Sequence, residues 1–143
     1  MEKKNIIIIG VIILIAISIW FFALRPDPGQ PLVNFECENL EKAVAETLNI
    51  SAGEITKEDM LKLDELVVPG ARLEKREKIT DLTGLEYAVN LTFLHLSDNQ
   101  ITDITPLVGL VNLEVFYLSH NPLGEKAKQY IETLRARGVD VIF

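Results

Sequence analysis

The chain has 143 residues, of which 48% are hydrophobic and 24% are charged, and its formal net charge is −7 at pH 7. Outside residues 1–25 it carries 11 basic and 20 acidic side chains, so that part alone has a net charge of −9. This balance excludes a nucleic-acid-binding protein, because affinity for the phosphate backbone comes from clustered Lys and Arg side chains.

The first predicted element is an uncharged, isoleucine-rich segment from Asn5 to Leu24. As a helix, its 20 residues span about 30 Å, the thickness of a bilayer's hydrocarbon layer. Its 14 Ile, Leu, Val and Phe residues each favour insertion by roughly 0.3–0.6 kcal/mol at the membrane centre, at most about 4–8 kcal/mol together. The sequence therefore predicts an N-terminal transmembrane anchor within residues 1–25, in contact with the lipid bilayer through residues 5–24.

A cleaved secretory signal peptide is the alternative interpretation of this segment. The segment ends in Trp20 and two phenylalanines, which make a poor cleavage site, so we favour an uncleaved anchor. Lys3 and Lys4 precede the segment and Arg25 follows it, which predicts a cytoplasmic N-terminus. We expect a single-pass protein of the cell membrane with its C-terminal domain outside the cytoplasm, or a secreted protein if residues 1–24 are cleaved.

A proline-rich linker and a helical cap are predicted next. Residues 26–32 contain three prolines and one glycine, which indicates an extended spacer. Residues 33–78 are predicted to form a helical cap with a degenerate first repeat. Its first helix has apolar residues at four-residue spacing and Asn39 as the expected N-cap, and its second begins at the capping-box sequence 56–59 and continues to Leu66. We interpret the charged run 72–78 as a solvated bulge.

Residues 79–122 are two consecutive copies of a 22-residue sequence that are identical at 11 positions. Repetition at such a period is typical of a solenoid, in which each unit buries its apolar face against the next. Each copy carries the pattern Leu-x-x-Leu-x-Leu-x-x-Asn, with Phe116 at one leucine position. Alternation around Leu94 and Leu96 predicts a strand in each copy, and we expect Asn99 and Asn121 to satisfy backbone groups at turns.

Residues 123–143 are predicted to close the stack with a helix followed by a strand. An apolar stripe at helical spacing ends before Gly138, a residue suited to a helix stop, and apolar and polar residues then alternate. In total we expect four short parallel strands, at about 66–68, 93–97, 115–119 and 139–142.

The repeats resemble the 22-residue leucine-rich repeats of bacterial internalin-like proteins, and residues 34–63 resemble the helical cap that precedes such repeats. The resemblance implies an α/β fold, a short leucine-rich-repeat solenoid with parallel strands on its concave face, a helical N-terminal cap and a helix-strand C-terminal cap, behind one N-terminal transmembrane helix. Because the family binds many unrelated partners, the resemblance implies a binding protein without naming its ligand.

The outward strand positions are the predicted partner-binding site. They form three columns across the strands: Glu65, Phe93 and Val115; Val67, His95 and Tyr117; and Pro69, Ser97 and Ser119. Aromatic side chains offer a large contact area at low entropic cost and concentrate at the centres of interfaces. We therefore predict that a protein ligand binds this face. The alternative is that the cap or the run 72–78 folds over it.

No catalytic, cofactor or metal site is predicted, and no small-molecule substrate is expected. His95 and His120 are expected on different faces, and Asp81 and Asp103 are expected to be turn residues, since calcium needs several converging oxygens. Cys37, the only cysteine, is expected to be a surface or half-buried thiol, and an intermolecular disulfide through it stays open.

Three functions are consistent with these predictions, the last of them an enzyme whose site the sequence does not reveal. The first is a membrane-tethered leucine-rich-repeat module that binds a protein partner through its concave face without catalysis. The second is a structural subunit of a larger membrane complex, in which the transmembrane helix is itself a contact surface.

Overall fold

The computed structural model describes residues 29–143, so the predicted anchor and the first part of the linker lie outside the described residues. Within the described range, no helix combines the length and the apolar character that a bilayer crossing needs. Residues 31–143 form one compact unit, and the fold described below is that of this unit.

A four-stranded parallel sheet runs through the unit with its strands in chain order. The strands are β1 (Glu65–Val67), β2 (Phe93–His95), β3 (Val115–Tyr117) and β4 (Asp140–Ile142). The register aligns the central residues of the four strands, Leu66, Leu94, Phe116 and Val141, and all four are buried. The four predicted strands are confirmed.

β2 and β3 are each two residues shorter than predicted, and the chain turns a short distance beyond both. Asp98 and His120 have φ angles of 64° and 58°, which an extended strand cannot contain. Backbone hydrogen bonds between the two segments continue beyond the ends of β2 and β3, since the Asp98 N–H donates to the Ser119 carbonyl at 2.8 Å. β2 and β3 therefore span three residues each.

The first helix of the cap, α1 (Glu38–Leu48), buries Leu40, Val44 and Ala45 against the core. Its N-cap is Cys37, so the predicted capping role of Asn39 is wrong. The Asn39 amide instead donates to the carbonyls of Arg76 and Lys78, at 2.9 and 3.3 Å. This side chain thus ties the helix to the loop that follows β1.

The second helix of the cap, α2 (Lys57–Met60), is a single turn. The predicted capping box is confirmed: the Thr56 hydroxyl accepts from the Asp59 N–H at 3.1 Å, and the Asp59 carboxylate accepts from the Thr56 N–H at 3.1 Å. The helix does not reach Leu66 as predicted, because the chain turns after Leu61 and enters β1.

The charged run 72–78 forms a loop of two short 3₁₀ turns, Gly70–Arg72 and Lys75–Glu77. Residues 74–77 are exposed, as predicted for a solvated segment. The loop is nevertheless held at its end, since the Gln100 amide donates to the Lys75 carbonyl at 3.0 Å and the Lys78 ammonium donates to the Asp98 carbonyl at 2.6 Å.

The return legs and the C-terminal helix complete the core. The segments that lead from each turn to the next strand contain 3₁₀ helices at Leu85–Tyr87 and Thr105–Leu107. Helix α3 (Glu125–Ala136) buries Ala127, Ile131 and Leu134, and Gly138, with φ of 92°, leads the chain from the helix into β4. This glycine position suits a residue without a Cβ, as expected of a helix stop.

Two asparagine side chains link successive units at their turns. The buried Asn99 accepts from the Ile79 N–H at 2.9 Å, and its amide group donates to the carbonyls of Val68, Leu96 and Ser97. Asn121 repeats the arrangement, accepting from the Ile101 N–H at 3.0 Å and donating to the carbonyls of Leu96, Leu118 and Ser119. The predicted structural role of both asparagines is confirmed.

Replacing Asn99 by Ala should therefore cost about 2–3 kcal/mol of unfolding free energy, because the Ile79 N–H and the Val68 carbonyl lose the partner that Asn99 provides. Urea denaturation measures this loss. Asn90→Ala is the matched control, since its amide makes one exposed hydrogen bond, to the Leu61 carbonyl. Equal losses in the two variants would contradict the role assigned to Asn99.

Candidate functional site: the solvent face of the sheet

The parallel register brings the predicted binding residues into continuous columns. Glu65, Phe93 and Val115 align in one column and Val67, His95 and Tyr117 in the next. The register continues into β4, where Asp140 and Ile142 extend the two columns. We call these eight residues the sheet-face patch: Glu65, Phe93, Val115, Asp140, Val67, His95, Tyr117 and Ile142.

An aromatic cluster occupies the centre of the sheet-face patch. The Tyr117 ring lies 5.8 Å from the Phe93 ring and 5.0 Å from the His95 ring, measured between centroids, with tilted planes. All three side chains are half-buried rather than enclosed, whereas Leu94 and Phe116 beside them are fully buried. Cross-strand contacts of this kind hold the rings in place while one side of each still faces solvent.

Aliphatic residues extend the apolar surface on both sides of the rings. Val67 of β1 is 55% exposed, and Val115 and Ile142 are half-buried. Beyond β4, Phe143 is 51% exposed and lies under the Arg135 guanidinium, 4.7 Å from the ring centroid. Sequence analysis did not assign Asp140 and Ile142 to the site, although the alternation of residues 139–143 was a signal that could have found them.

The third predicted column differs from the other two. Ser97 is buried, with 8% of its surface exposed, and Ser119 is half-buried, so neither offers much contact area to a ligand. At Ser97 the cause is the chain segment after β1: the Gly70 N–H donates to the Ser97 carbonyl at 2.8 Å, and a Cβ at Gly70 would collide with the Asp98 backbone. Pro69 is exposed.

The loop 72–78 is hydrogen-bonded to residues outside the sheet-face patch. Its hydrogen bonds run to Asn39, Asp98 and Gln100, which lie on α1 and at the turn beyond β2. Within residues 29–143, no hydrogen bond joins this loop to a member of the patch. The half-exposed state of the rings agrees with this arrangement.

The remaining candidate side chains have structural partners. The Asp81 carboxylate accepts from the Thr83 N–H at 2.7 Å, and the Asp103 carboxylate accepts from both the N–H and the hydroxyl of Thr105. The hydrogen bonds from Thr105 hold the pKa of Asp103 below its usual value. The described residues contain no group of three His, Cys, Asp or Glu side chains placed to hold a metal ion.

Cys37 is buried, with 6% of its surface exposed, so the predicted surface or half-buried thiol is wrong. Burial raises the pKa of this thiol, but backbone N–H groups of Thr80, Leu40 and Asp81 and the Thr80 side chain favour the thiolate and bring the pKa below its ordinary value. A disulfide to another molecule would require this part of the cap to open.

Comparison with known proteins agrees with this architecture. A sequence profile for leucine-rich repeats in two copies matches residues 89–127. An internalin, InlF, from Listeria monocytogenes superposes with a TM-score of 0.60 at 28% identity, over 76% of this chain and 29% of that one. Internalin C2 from the same organism has a TM-score of 0.56 at 21% identity, over 82% and 60% of the two chains. A search of curated proteins finds no match.

A third similar structure contains the CBM51-2 and INT domains of Clostridium perfringens ZmpB, with a TM-score of 0.50 at 31% identity. The match covers 62% of this chain and 19% of that one. The chain thus spans less than a third of the length of the InlF and ZmpB structures and 60% of the internalin C2 structure. The chain contains leucine-rich repeats and has an internalin-like fold.

Neighbouring aromatic residues of β3 should respond very differently to truncation. Phe116→Ala removes a fully buried ring and should cost about 3–5 kcal/mol of unfolding free energy. Tyr117→Ala removes a half-exposed ring with two aromatic neighbours and should cost about 1 kcal/mol. Urea denaturation of the two variants measures the difference, and equal costs would contradict the assignment of Tyr117 to the solvent face.

Proposed function

We propose that this internalin-like chain is a membrane-tethered, non-catalytic module that binds a protein partner through the sheet-face patch. The observation that carries the proposal is the cluster of Phe93, His95 and Tyr117, which is half-exposed at the centre of a four-stranded sheet. A surface that only has to remain hydrated gains nothing from three rings in contact, whereas an interface gains contact area from side chains whose positions are already fixed.

The surroundings of the rings favour a macromolecular ligand over a small molecule. The apolar surface extends from Val67 on β1 to Ile142 on β4, so it crosses every strand of the sheet. Small molecules are usually bound in enclosed cavities, whereas protein partners bind broad, shallow surfaces with an aromatic centre. The sheet-face patch is of the second kind.

The tether is proposed from the sequence of residues 5–24, whose apolar length matches a bilayer. The excess of positive charge at Lys3 and Lys4 favours a cytoplasmic N-terminus, with the repeats outside the cytoplasm. In this arrangement the partner is an envelope or extracellular protein.

Site-specific photocrosslinking in intact cells tests the binding site. A photoreactive amino acid at Val115, inside the patch, should give a defined adduct with one partner, whereas the same group at Val111, which is 73% exposed off the sheet, should not. Phe93→Ala and Tyr117→Ala should each lower the yield of the adduct at least about tenfold, since central aromatic residues dominate interface energies. An adduct whose yield is unchanged in both variants would refute the proposed site.

The same adduct separates the binding module from the structural subunit. If residues 1–25 are replaced by an unrelated membrane anchor, a ligand bound by the repeats should still be crosslinked at Val115. Loss of the adduct in that chimera would favour the structural-subunit alternative, in which the transmembrane helix is a contact surface.

Membrane orientation is tested with a fluorescent reporter that matures only in the cytoplasm. Fused to the C-terminus it should remain dark, and fused to the N-terminus, as the control, it should be fluorescent. Fluorescence of the C-terminal fusion would reverse the proposed orientation.

A further inference from the structure

Carboxylate side chains line one border of the sheet-face patch. Glu65 and Asp140 stand at the two ends of the column that contains Phe93 and Val115. Asp64 and Glu114, each directly before a strand, are two further exposed carboxylates at the same end of the sheet. The apolar centre of the patch is thus flanked by negative charge.

These four carboxylates are not engaged by the fold. Within residues 29–143, none of their side chains forms an ion pair or accepts a hydrogen bond. Arg135 contacts Glu132, the Val141 carbonyl and the Phe143 ring. Arg137 lines the same surface depression as Glu114 and donates to the carbonyls of Val108 and Leu110. Within the sheet-face patch itself, Glu65 and Asp140 are the only Asp, Glu, Lys or Arg side chains, so the formal charge of the patch is negative.

We infer that the ligand of the sheet-face patch is a cationic, extended segment of a protein, with two basic side chains that meet Glu65 and Asp140 and an apolar side chain between them that packs on Phe93 and Tyr117. This inference rests on the proposed function, because it names the chemistry of the ligand at the proposed site. Charge complementarity carries it, together with the position of the aromatic cluster between the two carboxylates.

The spacing of the carboxylates specifies the ligand further. Glu65 and Asp140 are three strand spacings apart, which is roughly 14 Å at about 4.8 Å per spacing. An extended chain covers this distance in about four residues, and residues two apart point to the same side of such a chain. The expected motif is therefore basic-x-apolar-x-basic, with all three recognition side chains facing the sheet.

A selection from a library of random nine-residue peptides tests this inference. The target is the full-length chain in a non-ionic detergent, and the probes are the selected peptides, resynthesised and measured one by one by fluorescence polarisation. Peptides that bind at the patch are identified by their loss of affinity for the Phe93→Ser/Tyr117→Ser double variant. These peptides should be enriched in Lys and Arg at a spacing of four, and their affinity should fall about tenfold or more between 50 and 500 mM NaCl, since salt screens exposed charges.

Removing the negative charges of Glu65 and Asp140 should remove the preference for cationic peptides but leave the peptide-binding site in place. The Glu65→Gln/Asp140→Asn variant should bind the selected peptides about 3- to 10-fold more weakly and with little dependence on salt. Glu46→Gln/Glu54→Gln changes the net charge equally at exposed positions in and just after α1 and should leave both affinity and salt dependence unchanged. Equal effects of the two double variants would overturn the inference, because they would indicate attraction by net charge alone.

The outcomes separate this inference from the function on which it rests. Patch-dependent peptides that are neutral or acidic would overturn the cationic ligand and leave the binding site in place. Selected peptides that bind the Phe93→Ser/Tyr117→Ser variant as tightly as the original chain would overturn both.

Discussion

The parallel register of the four strands is the constraint on which the core and the proposed site both depend. Each strand places its central residue inward and its two neighbours outward, so Leu94 is enclosed while Phe93 and His95 face solvent. A shift by one residue would reverse every one of these assignments. The burial of the leucines and the exposure of the rings are therefore two results of one alignment, and neither can change without the other.

Asparagine amides maintain that alignment beyond the ends of the short strands. Asn99 and Asn121 each bind backbone groups of their own unit and of a neighbouring unit, where no strand pairing is available. An amide oxygen accepts hydrogen bonds and an amide nitrogen donates them, so one asparagine side chain can bind both N–H and carbonyl groups of the backbone. The spacing of the columns on the solvent face thus rests on side chains that lie at the turns, outside the strands themselves.

The features that sequence analysis anticipated are those set by the repeat, and the features it missed depend on contacts between distant residues. Periodic leucines predict the strands and the columns of the sheet. The burial of Ser97 follows from Gly70 of the preceding unit, and the displaced role of Asn39 follows from carbonyls in the loop 72–78. The spacing between β3 and β4 departs from 22 residues, so Asp140 and Ile142 had no repeat to place them. Cys37 is enclosed by residues near Thr80, far along the chain.

The outer edge of β4 is covered by a basic side chain, which limits self-association through strand pairing. Exposed strand edges attract other strands, and proteins commonly block them with a positively charged side chain. Here the Arg135 guanidinium donates to the Val141 carbonyl at 2.9 Å and also covers the Phe143 ring. A strand from another molecule that approached this edge would have to displace the guanidinium from both contacts. This edge should therefore resist fibre-like growth.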